Sequence, residues 1–423
     1  MNTKLTLSNI RYLHLLVLIS VLFILTLNIP LISFFIFIVY FLLVFIFAAL
    51  QLLDNKVNTF KKALLNKSFV RVFLVIIFFA LSYFITILNY NYIDKTTAIH
   101  SIILTVISYF IGYSINIEKL PDKPFNFIYL VLALIGGGVI FVYLSVINSA
   151  MFVNNGIDIF NRSVPNFWKF DAELINGPAL DLYSMIGMSL IPVIIYGKTQ
   201  EIRKRVYIII ITISSILACS ALFTSLALQG RKTFLNLLVV LLLTTLFKIN
   251  KIKKVSTKYI FVLAILLIST ILIFNLGAIM DSSLVFTRFR EEGIESGRYE
   301  TWLEVIESMP NNLFGGRSFR ISNSYAHNIW LDVFYDGGFL PMILLLIFHI
   351  LHIVPLLKVL SSKLPDILII CVICVSVSFL IGFQGEPVLQ ASVFYFSMSC
   401  CFFGLIMRLS QITDKYKFDI NKP

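Results

Sequence analysis

The sequence predicts an all-α, polytopic integral membrane protein. Two features of the 423-residue chain lead to this prediction: 59% of its residues are hydrophobic and only 13% are charged. A soluble domain usually carries about 25% charged residues. An apolar excess of this size cannot be buried in one aqueous core, so most apolar side chains must face lipid or one another. The composition therefore excludes a soluble globular enzyme, a disordered chain and a disulfide-rich secreted fold.

The spanning helices are predicted from apolar segments of about 20 residues, the length that crosses a hydrocarbon core about 30 Å thick. The segments are apolar all round, as lipid-exposed helices are, and they do not alternate in short runs as β-barrel strands do. About twelve such segments follow one another in a single transmembrane domain over residues 1–423. They are 11–27, 31–53, 70–89, 98–117, 126–149, 181–197, 206–228, 233–249, 259–280, 337–357, 365–384 and 388–408.

The positions of lysine and arginine predict which loops are cytoplasmic, because these residues are enriched on that side of the membrane. If both termini are cytoplasmic, 24 of the 34 lysines and arginines lie inside, and nineteen of those 24 are lysines. The net charge of +12 is therefore mostly an anchor of the inside loops. It does not indicate nucleic-acid binding.

Two predicted outside loops, about 150–180 and 281–328, are too long to be simple turns, and we expect them to form the active-site face. The second loop contains arginines but no lysine, against the trend of the inside loops. Guanidinium groups bind phosphate or carboxylate through two parallel hydrogen bonds. The arginines therefore indicate an anionic ligand or, alternatively, pairing with the acids interleaved among them. They are Arg288, Arg290, Arg298, Arg317 and Arg320.

Within the second loop, residues 298–309 predict a short amphipathic helix, with Ser296 as a candidate N-cap and Pro310 after its last turn. We expect it to lie on the membrane surface or under the loop. A turn containing Gly315 and Gly316 follows, and glycine allows the backbone to approach a ligand closely. The apolar face of this helix is formed by four residues at helical spacing: Trp302, Val305, Ile306 and Met309.

Four further residues of the outside face are candidates for function. His327 lies just before the tenth predicted span, and imidazole can remove a proton from a hydroxyl near neutral pH. Glu300 is a candidate to orient His327 or to act as the base itself. Arg231, in the short turn before the eighth span, is either an interface anchor or a ligand-binding group. Trp168, in the first long loop, is a candidate to stack on a ligand through its aromatic ring.

Three stretches of the second loop and one short turn resemble the signature of the O-antigen polymerase and ligase superfamily. That signature has an arginine and an aromatic residue about four positions apart, a glycine-containing turn, and a His-Asn pair that opens a span. The matching residues are Gly297-Arg298-Tyr299-Glu300-Thr301-Trp302, Phe314-Gly315-Gly316, Ala326-His327-Asn328-Ile329-Trp330-Leu331 with Gly337-Gly338, and the turn Gln229-Gly230-Arg231-Lys232-Thr233.

The resemblance implies a metal-independent glycosyltransferase without a cofactor, in the bacterial cytoplasmic membrane with its active site facing the periplasm. Its donor would be an oligosaccharide on undecaprenyl pyrophosphate, and membrane lipids and a chain-length regulator protein are the other expected partners. By resemblance, Arg231 and either Arg288 or Arg298 bind the pyrophosphate, and His327 activates the acceptor hydroxyl. Arg290, Arg317, Arg320 and Trp168 are expected as additional substrate contacts.

Three functions are consistent with this sequence. The first is a polymerase that transfers the growing glycan to another lipid-linked repeat unit, and the 29 positions from Arg298 to His327 favour it because ligases of the superfamily tend to have a longer segment there. The second is the ligase, whose acceptor is the lipid A–core. The third is a flippase or another transporter, which would place charges within its spans. For that third function, Asp181 and Glu386 at span edges are the relevant residues.

Overall fold

The computed structural model describes residues 7–27, 67–115, 125–152, 163–168, 174–197, 204–228, 230–251 and 298–419. These residues form an all-α, polytopic membrane protein, as predicted, with one two-stranded sheet. In the first half of the chain the elements are α1 (Leu7–Thr26), α2 (Lys67–Asn89), α3 (Lys95–Ser114), α4 (Phe125–Phe152), β1 (Ser163–Pro165), β2 (Leu174–Asn176), α5 (Gly177–Met188), α6 (Ile191–Tyr196) and α7 (Lys204–Ala227).

The second half contains the helices that surround the candidate site. They are α8 (Arg231–Lys251), α9 (Arg298–Ser308), α10 (Ile329–Gly337), α11 (Phe339–Leu360), α12 (Asp366–Gly385), α13 (Val388–Ala391) and α14 (Val393–Asp419). A 3₁₀ turn, Met309–Asn311, follows α9.

Nine helical segments among the described residues are long and apolar enough to cross a membrane, and each coincides with a predicted span. The predicted span 11–27 corresponds to α1, whose apolar part, Leu15–Ile24, is shorter than the nine segments above. The predicted spans 31–53 and 259–280 lie outside the described residues. One predicted span, 181–197, is built from two consecutive helices, α5 and α6, each with a proline in its first turn.

The helices divide into a central group and a peripheral group. Most residues of α4, α12 and α14 are buried, whereas α7, α8 and α11 expose apolar side chains along one face. Leu238 and Val354 are examples of such exposed residues. A face of this kind is suited to hydrocarbon, where the backbone of each helix satisfies its own hydrogen bonds.

Ion pairs at both ends show that α8 and α12 run antiparallel. At one end, Lys248 and Lys251 contact the two carboxylate oxygens of Asp366 at 2.8 and 2.5 Å. At the other end, Lys232 contacts Glu386. The charge distribution assigns the Lys232 end to the outside, and the 298–328 segment lies there too.

The two long outside loops are partly ordered by secondary structure. In the first, β1 pairs antiparallel with β2, with Val164 opposite Ile175. In the second, the predicted amphipathic helix is present as α9, with Thr301 and Val305 buried. Ile306, expected on the apolar face, is instead exposed. The helix packs against α10, so it lies under the loop.

Candidate active site

The site is centred on the carboxylate of Glu386, which follows α12 at the predicted outer end of the bundle. This side chain is only 5% exposed, and burial of an unpaired charge would be costly. The Lys232 ammonium, one residue into α8, contacts both Oε1 of Glu386 and the carbonyl oxygen of Gly385. A buried negative charge and a partly buried positive charge are thus held together between two spanning helices.

A second cation reaches the same carboxylate from the outside loop. Arg298, the first residue of α9, donates a hydrogen bond from Nη1 to the carbonyl oxygen of Gly385 at 3.0 Å. Its Nη2 lies 3.9 Å from Oε1 of Glu386. Lys232 and Arg298 therefore converge on one carbonyl and one carboxylate, although they are 66 positions apart in the chain.

His327 approaches the other oxygen of the same carboxylate. Its Nδ1 lies 3.5 Å from Oε2 of Glu386, and among the described residues neither atom has a hydrogen-bond partner, although both are buried. Burial, and then the positive charges of Arg298 and Lys232, lower the pKa of His327 to about 4. The ring is therefore neutral near pH 7 and has a lone pair with which to accept a proton.

The backbone of His327 is in the left-handed region, with φ of +56°, which few non-glycine residues adopt. Three hydrogen bonds hold the chain around it. The Asp332 carboxylate accepts from the backbone amides of Ala326 (2.7 Å) and Asn328 (3.0 Å), and the indole of Trp302 donates to the carbonyl of Ala326 (2.7 Å). Burial raises the pKa of Asp332, and the amide hydrogen bonds oppose that shift. These contacts fix the direction of the imidazole.

His327 and Glu386 line a cavity of about 910 Å³. Lys232 and Arg298 are not among the lining residues of this cavity, and they are linked to it through their contacts with Glu386. Most of the other polar lining groups are uncharged hydroxyls and amides, which suit the hydroxyl groups of a saccharide. They are contributed by Thr97, Ser101, Asn166, Asn176, Ser324, Gln390 and Ser392.

A second buried carboxylate, Asp181 of α5, lies below the turn that begins α8. Oδ1 of Asp181 accepts a hydrogen bond from Thr233 at 2.7 Å and one from Ser225 at 3.5 Å. A side chain at Gly230 would overlap this carboxylate, so the turn requires glycine. The arrangement fixes the start of α8 and hence the positions of Arg231, which is half-buried, and Lys232.

Among the described residues, Arg298 is a predicted pyrophosphate-binding arginine that the structure places in contact with this cluster. Arg231 lies beside Lys232 at the start of α8. Arg288 and Arg290 lie outside the described residues.

The structure places Glu300 differently from the expected orienter of His327. Glu300 is exposed, because it follows Arg298 by two positions on α9, and residues two apart on a helix point in different directions. The carboxylate beside His327 is Glu386 instead. Glu386 appeared in the sequence only as a span-edge acid relevant to transport.

Two of the expected additional contacts, Arg317 and Trp168, bind groups of the protein in this structure. Arg317 donates from Nε to Asp336 at 2.8 Å and lies over the ring of Tyr92, so its guanidinium ties the loop to α10. Arg320 is exposed. Trp168 donates from its indole to the carbonyl of Leu27 at 2.8 Å, which anchors the first loop on α1.

The glycine turn also contacts protein where we expected a ligand. Gly315 and Gly316 both have a φ of +73°, and the amide of Gly316 donates to the carbonyl of Asp336 at 2.9 Å. The turn therefore packs on the end of α10. Gly315 allows a close approach between two backbone segments, and a Cβ at Gly316 would overlap the ring of Tyr90.

Sequence reasoning missed Lys232 and Glu386 as site residues. Lys232 is a cation at a predicted outside turn, like the arginines that were selected. Glu386 stands between Gly385 and Pro387 at the predicted outer end of a span, where an acid is unusual. The positions of both residues at predicted outer ends of spans could have indicated them. No local sequence pattern indicates that they contact each other.

No family model matches the chain. The chain is similar to the ComP-specific O-oligosaccharyltransferase of Acinetobacter baylyi, with 21% identity over 421 residues. The match covers 88% of this chain and 73% of that relative. Over most of its length the chain is thus similar to an oligosaccharide-transferring enzyme, which agrees with the resemblance to the O-antigen polymerase and ligase superfamily and does not separate polymerase from ligase.

Proposed function

We propose that this chain is a glycosyltransferase that moves a glycan from a polyprenyl-pyrophosphate donor to an acceptor hydroxyl. The observation that carries the proposal is the convergence of Lys232, Arg298 and His327 on one buried carboxylate at the wall of a cavity. The cations suit a diphosphate, the neutral imidazole suits proton removal, and the uncharged wall suits a saccharide. The similarity to an oligosaccharyltransferase supports the same class of reaction.

The proposed reaction gives the two cations and the imidazole one role each. The acceptor oxygen attacks the anomeric carbon of the donor sugar, and the bond from that carbon to the pyrophosphate oxygen breaks. The electron pair leaves on the pyrophosphate, whose growing negative charge Lys232 and Arg298 stabilise. His327 takes the acceptor proton. Arg231 and the undescribed Arg288 remain proposed members of the diphosphate site.

The location of the cluster suits a donor whose lipid tail stays in the bilayer. Lys232 and Glu386 lie at the ends of two spanning helices, and the α8 helix exposes apolar side chains outward. The charge rule assigns this end to the outside. We therefore place the reaction on the periplasmic face of a bacterial cytoplasmic membrane, with undecaprenyl pyrophosphate as the carrier.

The preferred acceptor is another lipid-linked repeat unit, so that the reaction lengthens an O-antigen or a related surface polysaccharide. The second candidate is transfer of the finished glycan to a different acceptor, as in a ligase. The Acinetobacter relative is named an oligosaccharyltransferase, which supports glycan transfer and is compatible with either acceptor. Purified protein given only lipid-linked repeat units separates the two: chain growth supports the polymerase, and no growth until another acceptor is added supports the ligase.

The test of the proposed function is glycan transfer by purified protein carrying Arg298→Ala or His327→Ala. We expect Arg298→Ala to lower the transfer rate by about 10²–10³-fold, the usual effect of losing one charge-stabilising donor. His327→Ala should lower it by about 10²–10⁴-fold. Arg205→Ala, an exposed change at the opposite end of the bundle, is the control and should leave the rate unchanged. Normal glycan products from His327→Ala would contradict its role, and a metal chelator should have no effect.

A further inference from the structure

In this structure the negative charge that neutralises Lys232 and Arg298 is supplied by the protein itself. Oε1 of Glu386 contacts the lysine and lies 3.9 Å from the arginine, while Oε2 faces Nδ1 of His327. The Glu386 side chain is 5% exposed, whereas the three surrounding side chains are 22–28% exposed. The carboxylate is therefore the least exposed of the four groups, and its three partners are more accessible to solvent.

The two oxygens of Glu386 are in different situations. Oε1 is engaged by a cation, but Oε2 and Nδ1 of His327 are 3.5 Å apart and are both buried without a hydrogen bond among the described residues. A charge-assisted N–H···O bond is about 2.7–2.9 Å long. A side-chain movement of less than 1 Å would thus form a hydrogen bond that this arrangement leaves open.

We propose that Glu386 is a positioning residue that exchanges partners: a diphosphate takes over Lys232 and Arg298, and the carboxylate then bonds to Nδ1–H of His327. This inference rests on the proposed function, and it assigns to Glu386 the coupling between donor binding and the catalytic base. Diphosphate carries more charge than one carboxylate, and both cations are more exposed than the carboxylate that they contact. The exchange therefore needs side-chain movement only.

The exchange would make His327 a stronger base at the moment the donor is bound. A hydrogen bond from Nδ1–H to a carboxylate fixes the tautomer, leaves the lone pair on Nε2, and increases basicity. Nε2 then accepts the acceptor proton, and the imidazolium is stabilised by Glu386. With its present surroundings the ring is a weak base, since burial and the two cations lower the pKa of His327 to about 4.

Four titratable or charged groups of the described residues face the imidazole or its backbone. They are Glu386 at the end of α12, Arg298 on α9, Lys232 on α8, and Asp332 on α10, whose carboxylate accepts the flanking amides. Neutralisation of Lys232 and Arg298 by a diphosphate removes the two groups that oppose protonation. Asp332 keeps its partners throughout. The pKa of His327 should therefore rise when diphosphate binds.

The first test follows this pKa in the full-length wild-type protein in detergent. The ¹³C-labelled imidazole signal of His327, assigned by its loss in His327→Asn, is titrated with and without inorganic pyrophosphate. We expect pyrophosphate to raise the pKa by at least one pH unit. An unchanged pKa at saturating pyrophosphate would overturn the proposal. The titration itself is made on the wild-type protein, and His327→Asn serves only to assign the signal.

The second test measures pyrophosphate affinity in Glu386→Gln. Because the internal carboxylate no longer competes for Lys232 and Arg298, we expect several-fold tighter binding together with slower glycan transfer. Glu386→Asp should restore part of the transfer rate, and Glu307→Gln, an exposed change on α9, is the control. Weaker pyrophosphate binding in a folded Glu386→Gln protein would contradict the exchange, because it would mean that Glu386 only assembles the cations.

The failure of this inference is distinguishable from failure of the proposed function. If wild-type protein transfers glycan but pyrophosphate leaves His327 unchanged, the exchange is wrong and the enzyme assignment stands. If pyrophosphate shifts His327 but no glycan is transferred, the exchange stands and the assigned reaction is wrong.

Discussion

His327 is a residue whose chemistry depends on neighbours that are distant in the sequence. A free histidine has a pKa near 6.5, and burial beside Arg298 and Lys232 lowers that of His327 to about 4. A general base must be deprotonated to work, so a lower pKa extends activity to more acidic solutions. The partner that faces its Nδ1, Glu386, is 59 positions away.

The pH dependence of transfer tests this environment. The acid limb of kcat/KM reports the free enzyme, and we expect it near pH 4 instead of near 6.5. The limb of kcat reports the complex with donor, and partner exchange at Glu386 should move it to higher pH. Initial rates over pH 4–8 give both limbs. A kcat/KM limb at 6.5 would show that His327 is not the base or that its surroundings are open to solvent.

The sequence predicted the residue types of the site better than their pairing. Arg298 and His327 were selected from side-chain chemistry and from their position in an outside loop, and both contact the cluster. Glu300 was a candidate for the carboxylate that orients His327 or acts as the base itself. Glu386 replaces it because α12 brings its end to the same surface as α9, which no local pattern reveals.

At the scale of elements, the turn before α10 determines where the imidazole points. Asn328 caps this helix by accepting from the amides of Trp330 and Leu331, and Asp332 accepts from two amides that flank His327. The amphipathic helix α9 completes the support through Trp302. The sequence predicted α9 from its periodicity, but it did not predict that the helix would hold the next loop in place.

Asp332→Ala tests the support of this turn. The change leaves two buried amides without acceptors, which costs about 1–3 kcal/mol for each group. We expect a lower midpoint of thermal unfolding in detergent and slower transfer, because His327 is no longer held. Asp332→Asn, which keeps one acceptor, should lie between the wild type and Asp332→Ala. Glu307→Ala on the exposed face of α9 is the control. An equally large drop in the thermal midpoint of this control would contradict the explanation by lost amide hydrogen bonds.

At the scale of the whole molecule, hydropathy predicted the helices well because a bilayer strongly limits backbone structure. It could not predict which helices are central. The contact between α3 and α14 is made by backbone: a Cβ at Gly112 would overlap the carbonyl oxygen of Cys401, and one at Gly404 would overlap that of Tyr109. Small residues allow such close approach in membranes.

Gly112→Ala therefore tests the central packing. The added methyl group meets backbone that cannot rotate away, and overpacking typically costs about 1–3 kcal/mol. We expect a lower thermal midpoint in detergent. Gly136→Ala is the matched control, since its new methyl group would meet only side-chain atoms, the ring of Phe23 at 3.4 Å and Cδ2 of Leu217 at 3.6 Å. Equal midpoints for the two variants would show that the α3–α14 contact is not tight.

The lysine–carboxylate contacts at both ends of α8 and α12 restrict how these two helices can move. Sliding one past the other by a helical turn, about 5.4 Å, would separate Asp366 from Lys248 and Lys251 and would remove Glu386 from Lys232 simultaneously. Alternating access in a carrier depends on one bundle rocking against another. Two helices fastened in this way keep a fixed register, which suits a protein that joins molecules at one depth of the membrane better than one that conveys them across it.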